Sequence, residues 1–295
     1  SPDPATLTES GSVRATYIKV WQVRFLQPDG VTQIGTTQII DDGAGAVAPD
    51  KSLVDTGDED HIFLRWDTDF AEIHADTDVT AVLMNAPLLA VTYYDSDRTT
   101  VLGTEIVRYG NDAPYKYFAK PGYYLTGWEG ELTAISGATD VYAIWEDGSV
   151  WDGKTIVKGL AGSGTKEDPY LIGTAAEFFF YEANTATYAA AGTYTKQIAD
   201  LDFGGKKPLA KPSATVAGTY DGNGKTIRNF VNGTNGWDTW ALFLTVTGTV
   251  KNLTLSSVSV TAQRTNAAAL CVTLSGTVEN CHVVSGKICG AVAGG

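Results

Sequence analysis

The chain has 295 residues, 43% of them hydrophobic and 19% charged, with a formal net charge of −13 and a pI near 4.6. That length is enough to bury two or three separate cores, and the acid excess repels nucleic acid and anionic lipid, so neither is an expected partner. No apolar run approaches the ~18 residues of a membrane span, so no membrane insertion is expected.

Residues 1–16 are expected to be an N-terminal extension; the chain opens at Ser1 without a charged-then-apolar leader, as a mature or trimmed chain would. Val20-Trp21-Gln22-Val23-Arg24-Phe25 alternates apolar and polar residues and stops at Pro28-Asp29-Gly30, a strand followed by a turn. Val23-x-Phe25 and Ile34-Gly35-Thr36 return at one common offset as Val91-x-Tyr93 and Leu102-Gly103-Thr104. Trp66 and Asp78-Val79-x-Ala81-Val82 return at a second, slightly shorter offset as Trp128 and Asp140-Val141-x-Ala143-Ile144. Two anchor blocks in register imply two related β-modules, at 17–84 and 88–146, and the change of offset falls in a Gly- and Asp-rich loop between Gly35 and His61. Modules this small call for one large aromatic per core, the role expected of Trp66 and Trp128.

The second copy reads V-x-Y-Y-D-x-D-x-T-x-V-L-G-T-E, then K-P-G-Y-Y-L-T-G-W, then T-D-V-Y-A-I-W. Over residues 91–145 it resembles the internalin-type B repeat, also called the Listeria–Bacteroides repeat. The resemblance implies a β-grasp-like module that serves as a spacer or stalk on bacterial surface proteins and carries no catalytic residues. The first copy departs from the pattern, with Leu53 to Asp60 in place of Lys120-Pro121-Gly122-Tyr123.

Residues 147–168 end in a Gly-, Ser- and Thr-rich stretch and are expected to be a linker. Thr174 and Glu177 then form a capping box opening a short helix to about Ala190. Further on, Ala241-Leu242-Phe243, Gly248-Thr249-Val250 and Asn252-Leu253 return at a single common offset as Ala269-Leu270-Cys271, Gly276-Thr277-Val278 and Asn280-Cys281. A period of that length without helical periodicity is what stacked β-coils produce. The segment A-L-F…G-T-V-K-N-L-T-L resembles the GLUG repeat family; the resemblance covers about residues 160–295 and implies a β-helix over 169–295. The expected fold class is therefore mainly β: two small β-grasp-like modules followed by a right-handed parallel β-helix. The copy beginning at Ala291-Val292-Ala293-Gly294 stops short, so the helix is expected to be truncated, with an open edge prone to end-to-end self-association.

Three constellations carry chemistry-bearing residues. Asp221-Gly222-Asn223-Gly224 begins like a calcium loop, but Lys225 stands where a third oxygen ligand belongs, so a turn is expected. Asp200 and Asp202 share a strand face, the spacing of paired glycosidase carboxylates, yet they fall at a coil corner. Trp237, Asp238 and Trp240 form the candidate ligand-binding set, since two Trp faces in a polar loop are suited to stacking on sugar C–H surfaces. His61, His74 and His282 are far apart, and adjacent Cys281 and His282 face opposite sides of a strand, so no metal site and no cofactor are expected; Cys271, Cys281 and Cys289 are expected as buried thiols. With no H-E-x-x-H, G-x-S-x-G or P-loop, no catalytic residues are expected. The leading expectation is a non-catalytic bacterial cell-surface adhesin or stalk, extracellular, anchored outside this segment, with a glycan or a host or matrix protein as partner. The alternative is a carbohydrate-active β-helix, lyase- or hydrolase-like, or an accessory region of a surface peptidase.

Overall fold

The computed structural model describes residues 14–208, 214–231, 239–262, 265–290 and 292–294, the last three by backbone alone. Most of the expected N-terminal extension lies outside them. The protein is mainly β, with several sheets, and divides after Leu88 into two compact units.

The first unit carries β1 (Val20–Leu26), β2 (Gln33–Asp41), β3 (His61–Trp66) and β4 (Thr77–Asn85), in the sheet order β2-β1-β4-β3. Its outer pairs are antiparallel and its central pair, β1 with β4, is parallel. The second unit opens with β5 (Leu88–Tyr94), β6 (Val101–Arg108), β7 (Tyr123–Glu129) and β8 (Thr139–Asp147), in the matching order β6-β5-β8-β7. The central register is the same in both: Val23 faces Thr77 and Phe25 faces Val79, as Val91 faces Thr139 and Tyr93 faces Val141. A register shift falls just before each tryptophan, between Phe63 and Arg65 and between Leu125 and Gly127. Such a bulge re-aims the next side chain, and Trp66 and Trp128 turn onto their cores. Each meets its partner edge-on, Trp66 with Phe25 and Trp128 with Tyr93, both at 5.0 Å between ring centroids. The hairpins match too. Asp29 accepts from the amides of Val31 and Thr32 and from the Thr32 hydroxyl, and Asp97 does the same with Thr99 and Thr100.

The stretch 147–168, expected as a linker, is instead packed. Trp151, Leu160 and Ala161 are buried in the second unit. The amides of Trp151 and Leu171 donate to the carbonyls of Asp202 and Ala161. The Gly-rich composition serves close approach: a Cβ at Gly159 would sit 2.5 Å from the Tyr117 ring.

Beyond it come β9 (Tyr170–Ile172), α1 (Ala175–Ala183), α2 (Thr185–Tyr188), β10 (Tyr194–Gln197), β11 (Leu201–Asp202), β12 (Thr215–Val216), β13 (Thr219–Arg228), β14 (Phe243–Val246), β15 (Thr249–Ser256) and β16 (Val258–Thr261). The chain continues through β17 (Asn266–Ala268), β18 (Cys271–Leu274), β19 (Thr277–Glu279), β20 (His282–Val283), β21 (Gly286–Cys289) and β22 (Val292–Gly294). The capping box forms as expected, but the helical stretch breaks at Asn184, whose backbone leaves the helical region. Among the described residues every pairing of these strands is parallel, and each joins strands that lie 25–30 residues apart in the chain. Where the sequence repeats, the register does as well: Phe243 pairs with Cys271, Thr249 with Thr277 and Val258 with Gly286. Inward residues form columns: Tyr220, Val250 and Val278 on adjacent strands, and Ile227 beside Leu255. A glycine column marks one corner, where a Cβ on Gly248 would overlap the Gly218 carbonyl and one on Gly276 the Gly248 carbonyl. Asn223, Asn252 and Asn280 hold positive φ at a second corner, a conformation Asn tolerates better than most residues. There Asn280 donates to the Asn252 side chain at 2.9 Å, and Asn252 donates to Asp221 at 3.0 Å.

Candidate functional site

Alternation along β10, β13, β15 and β19 sends every second residue outward, and in-register parallel pairing lines those residues up across the sheet. One outward row is Tyr194, Thr219, Thr249 and Thr277; the next is Lys196, Asp221, Lys251 and Glu279. The second row alternates in sign from strand to strand, which favours this register over one that would set like charges side by side. Lys251 Nζ lies 3.4 Å from Asp221. Burial works against ionisation of Asp221, yet the Asn252 side chain, the Asn223 amide and Lys251 together hold its carboxyl below the usual range. At the N-terminal edge of this face a polar hollow of about 290 Å³ opens between Lys166, Tyr194, Lys196, Asp221 and Lys251. It offers lysine donors and a half-buried tyrosine to a polar ligand.

Sequence reasoning singled out Asp221 but missed Lys196, Lys251 and Tyr194. The signal was there for one of them: Lys251 and Glu279 occupy the same place in the repeat, flanked by inward Val250 and Val278.

The candidate tryptophans fare differently. Trp237 and Asp238 lie outside the described residues. Trp240 is no surface platform: it is 4% exposed, belongs to the main core and bridges in parallel to Ala267. A tryptophan preceding the buried Ala241-Leu242-Phe243 run continues the apolar interior rather than the polar loop before it.

Asp221 lines the hollow, and Asp200 and Asp202 do not. Asp202 is 8% exposed and binds Arg228 at 2.9 Å, Asn229 at 2.8 Å and the Gly204 amide at 2.8 Å. Burial pushes its carboxyl up, but these three donors prevail and hold it low. Asp200 accepts from the Thr226 amide at 2.9 Å. Each carboxylate thus bonds to the strand or turn that follows its own in the stack.

His61 and His74 pair with Asp58 and Asp42, and His282 lies 3.2 Å from the Asn280 side chain. Among the described residues no three of His, Cys, Asp and Glu gather where one ion could bind them. The three thiols, expected as buried, are half-exposed; burial raises the pKa of Cys271 and Cys281, which makes them poor nucleophiles at neutral pH. Among the described residues no helix is long and apolar enough to cross a membrane.

No protein-family model matches the chain. Over 175 residues it is 30% identical to Halomucin of Haloquadratum walsbyi, a likeness that takes in 53% of this chain. The chain spans only 2% of the length of that relative.

Proposed function

We propose that this chain is a non-catalytic segment of an extracellular surface protein, an adhesin or stalk in which two β-grasp-like modules precede a right-handed parallel β-helix. The observation that carries the reading is the pairing itself: successive strands pair in parallel throughout the described stack, and where the sequence repeats they pair at the period of the repeat. Parallel crossovers are right-handed in nearly all proteins, which supports the assigned hand. Such a coil stack offers an extended, repetitive outer face, a surface well suited to recognising repetitive polymers. The engagement of Asp200, Asp202 and Asp221 in coil-to-coil bonds supports a binding role over hydrolysis. The likeness to Halomucin supports placement outside the cell.

The test is a screen of the purified chain against immobilised glycans and matrix proteins, run beside depolymerisation assays on pectin, alginate and hyaluronan. Binding without chain cleavage is expected. Release of oligosaccharides above a protein-free control, or no binding to any glycan or matrix protein, would refute the reading.

A further inference from the structure

Within the second unit, a hollow of about 250 Å³ opens where β7 and β8 meet the 148–160 stretch, lined by Tyr115, Tyr117, Tyr124, Thr126, Glu146 and Lys158. Tyr115 and Tyr117 form a wedge, with ring centroids 5.0 Å apart and planes inclined at 56°. Tyr115 is 46% exposed and offers a free ring face. The other two rings are seated against glycine backbone: a Cβ on Gly159 would strike Tyr117, and one on Gly148 would lie 2.9 Å from Tyr124. Tyr124 also donates to Glu146 at 2.6 Å. Burial and the neighbouring Glu146 push its phenol up to about 12, so it remains a neutral donor over the physiological range.

Such rings are ordered before any ligand arrives, and tyrosine has little rotamer freedom to lose on binding. Their electron-rich faces attract the electropositive C–H edge of a pyranose ring. Beside them Glu146 supplies an acceptor and Lys158 a donor, the pair a polyol needs for its hydroxyls.

We propose that this cleft is a saccharide-binding site, with one sugar ring stacked on the exposed side of Tyr115, which Tyr117 backs, and its hydroxyls bonded to Glu146 and Lys158; the assignment rests on the surface-binding role proposed above. A proline-rich peptide also favours aromatic grooves, but it needs an extended one. A hollow of about 250 Å³ lies below the ~300–1,000 Å³ of pockets for drug-sized ligands and suits one or two rings.

The full chain is titrated with cellotetraose, chitotetraose and mannotetraose by calorimetry and saturation-transfer-difference NMR. At least one is expected to bind, with Tyr115→Ala weakening it about tenfold, the worth of a lost stacking contact. Glu146→Gln, which preserves shape, is expected to weaken it several-fold, and circular dichroism is expected to show both variants folded. The site assignment is overturned if none of the three binds, if neither variant alters binding, or if a decaproline peptide binds at Tyr115 instead. Glycan-array binding that persists unchanged in Tyr115→Ala overturns this site alone and leaves the surface-binding role standing; a screen in which the unaltered chain binds neither glycan nor matrix protein overturns both.

Discussion

Glu177 turns its carboxylate back onto the start of α1, accepting from the amides of Gly173 at 2.7 Å and Thr174 at 2.9 Å. It is 4% exposed, and burial outweighs those bonds, raising its pKa to about 7. A carboxyl raised above its unfolded value of 4.5 favours folding most when protonated. Its contribution is therefore complete below pH 4.5 and is lost as pH climbs through 7. At 1.36 kcal/mol per pKa unit the loss is about 3 kcal/mol. Chemical denaturation of the wild type and Glu177→Gln from pH 4 to pH 8 measures it: the wild type is expected to lose about 3 kcal/mol relative to the variant, and a pH-independent difference would contradict the assignment. This capping box was legible in the sequence because its two partners are close neighbours in the chain and need no tertiary information. Trp240 was not. An aromatic beside a polar loop looks alike in sequence whether it faces solvent or interior, and only the coil stacked over it decides.

Elements were legible where the chain repeats and obscure where the repeat is broken. The shared four-strand pattern was legible because Val23, Phe25 and Trp66 recur as Val91, Tyr93 and Trp128, and Trp66 meets Phe25 as Trp128 meets Tyr93. Trp66→Ala is expected to cost the first unit about 3 kcal/mol, as a truncated and partly buried aromatic does. Because contacts cluster into two units, exchange of amides at 89–295 is expected to stay unchanged, and hydrogen exchange read by mass spectrometry would expose any shared loss. The later coils were legible for the same reason, through Gly248 and Gly276. The earlier layers do not share that period, because they vary in length: Gly222, Asn223 and Gly224 together occupy the corner that Asn252 alone turns in the next layer, which stretches the spacing of Thr219 and Thr249 beyond that of Thr249 and Thr277. Gly248→Ala tests the glycine corner itself. The added methyl meets backbone carbonyls of the preceding coil, which cannot swing away as a side chain would. A loss of about 1–3 kcal/mol is expected, as for other overpacked sites, while Gly224→Ala, where the neighbourhood is open, should cost less through its positive φ alone. Equal losses in thermal unfolding would argue against a crowded glycine column.

At the scale of the whole parallel stack, burial holds from β13 to β15 and falls at the next layer, β18 to β20, and a step in local stability follows. Val246, Val250 and Leu255 are each at most 1% exposed, whereas their partners one coil on are Leu274 at 53%, half-buried Val278 and Val283 at 42%. Between these layers a hollow of about 350 Å³ is lined by Leu255, Leu270, Val278 and Cys281. A coil in such a stack is held by its neighbours, and the β15 coil is covered on both sides, by β13 and by β19. Its amides should open only with global unfolding, at about 5–15 kcal/mol. The amides of β19 to β21 have fewer buried side chains behind them and should open locally at a small fraction of that. The thiols report the same step independently, since Cys281 packs at the boundary between the two layers and Cys289 lies in the outer one. Hydrogen exchange resolved to single strands should therefore rank β15 slowest and β21 fastest, and maleimide labelling in native buffer should reach Cys289 before Cys281. Uniform protection from β13 through β21, or Cys281 labelled first, would mean that the outer coil is as firmly held as the inner one and that stability does not follow burial along this stack.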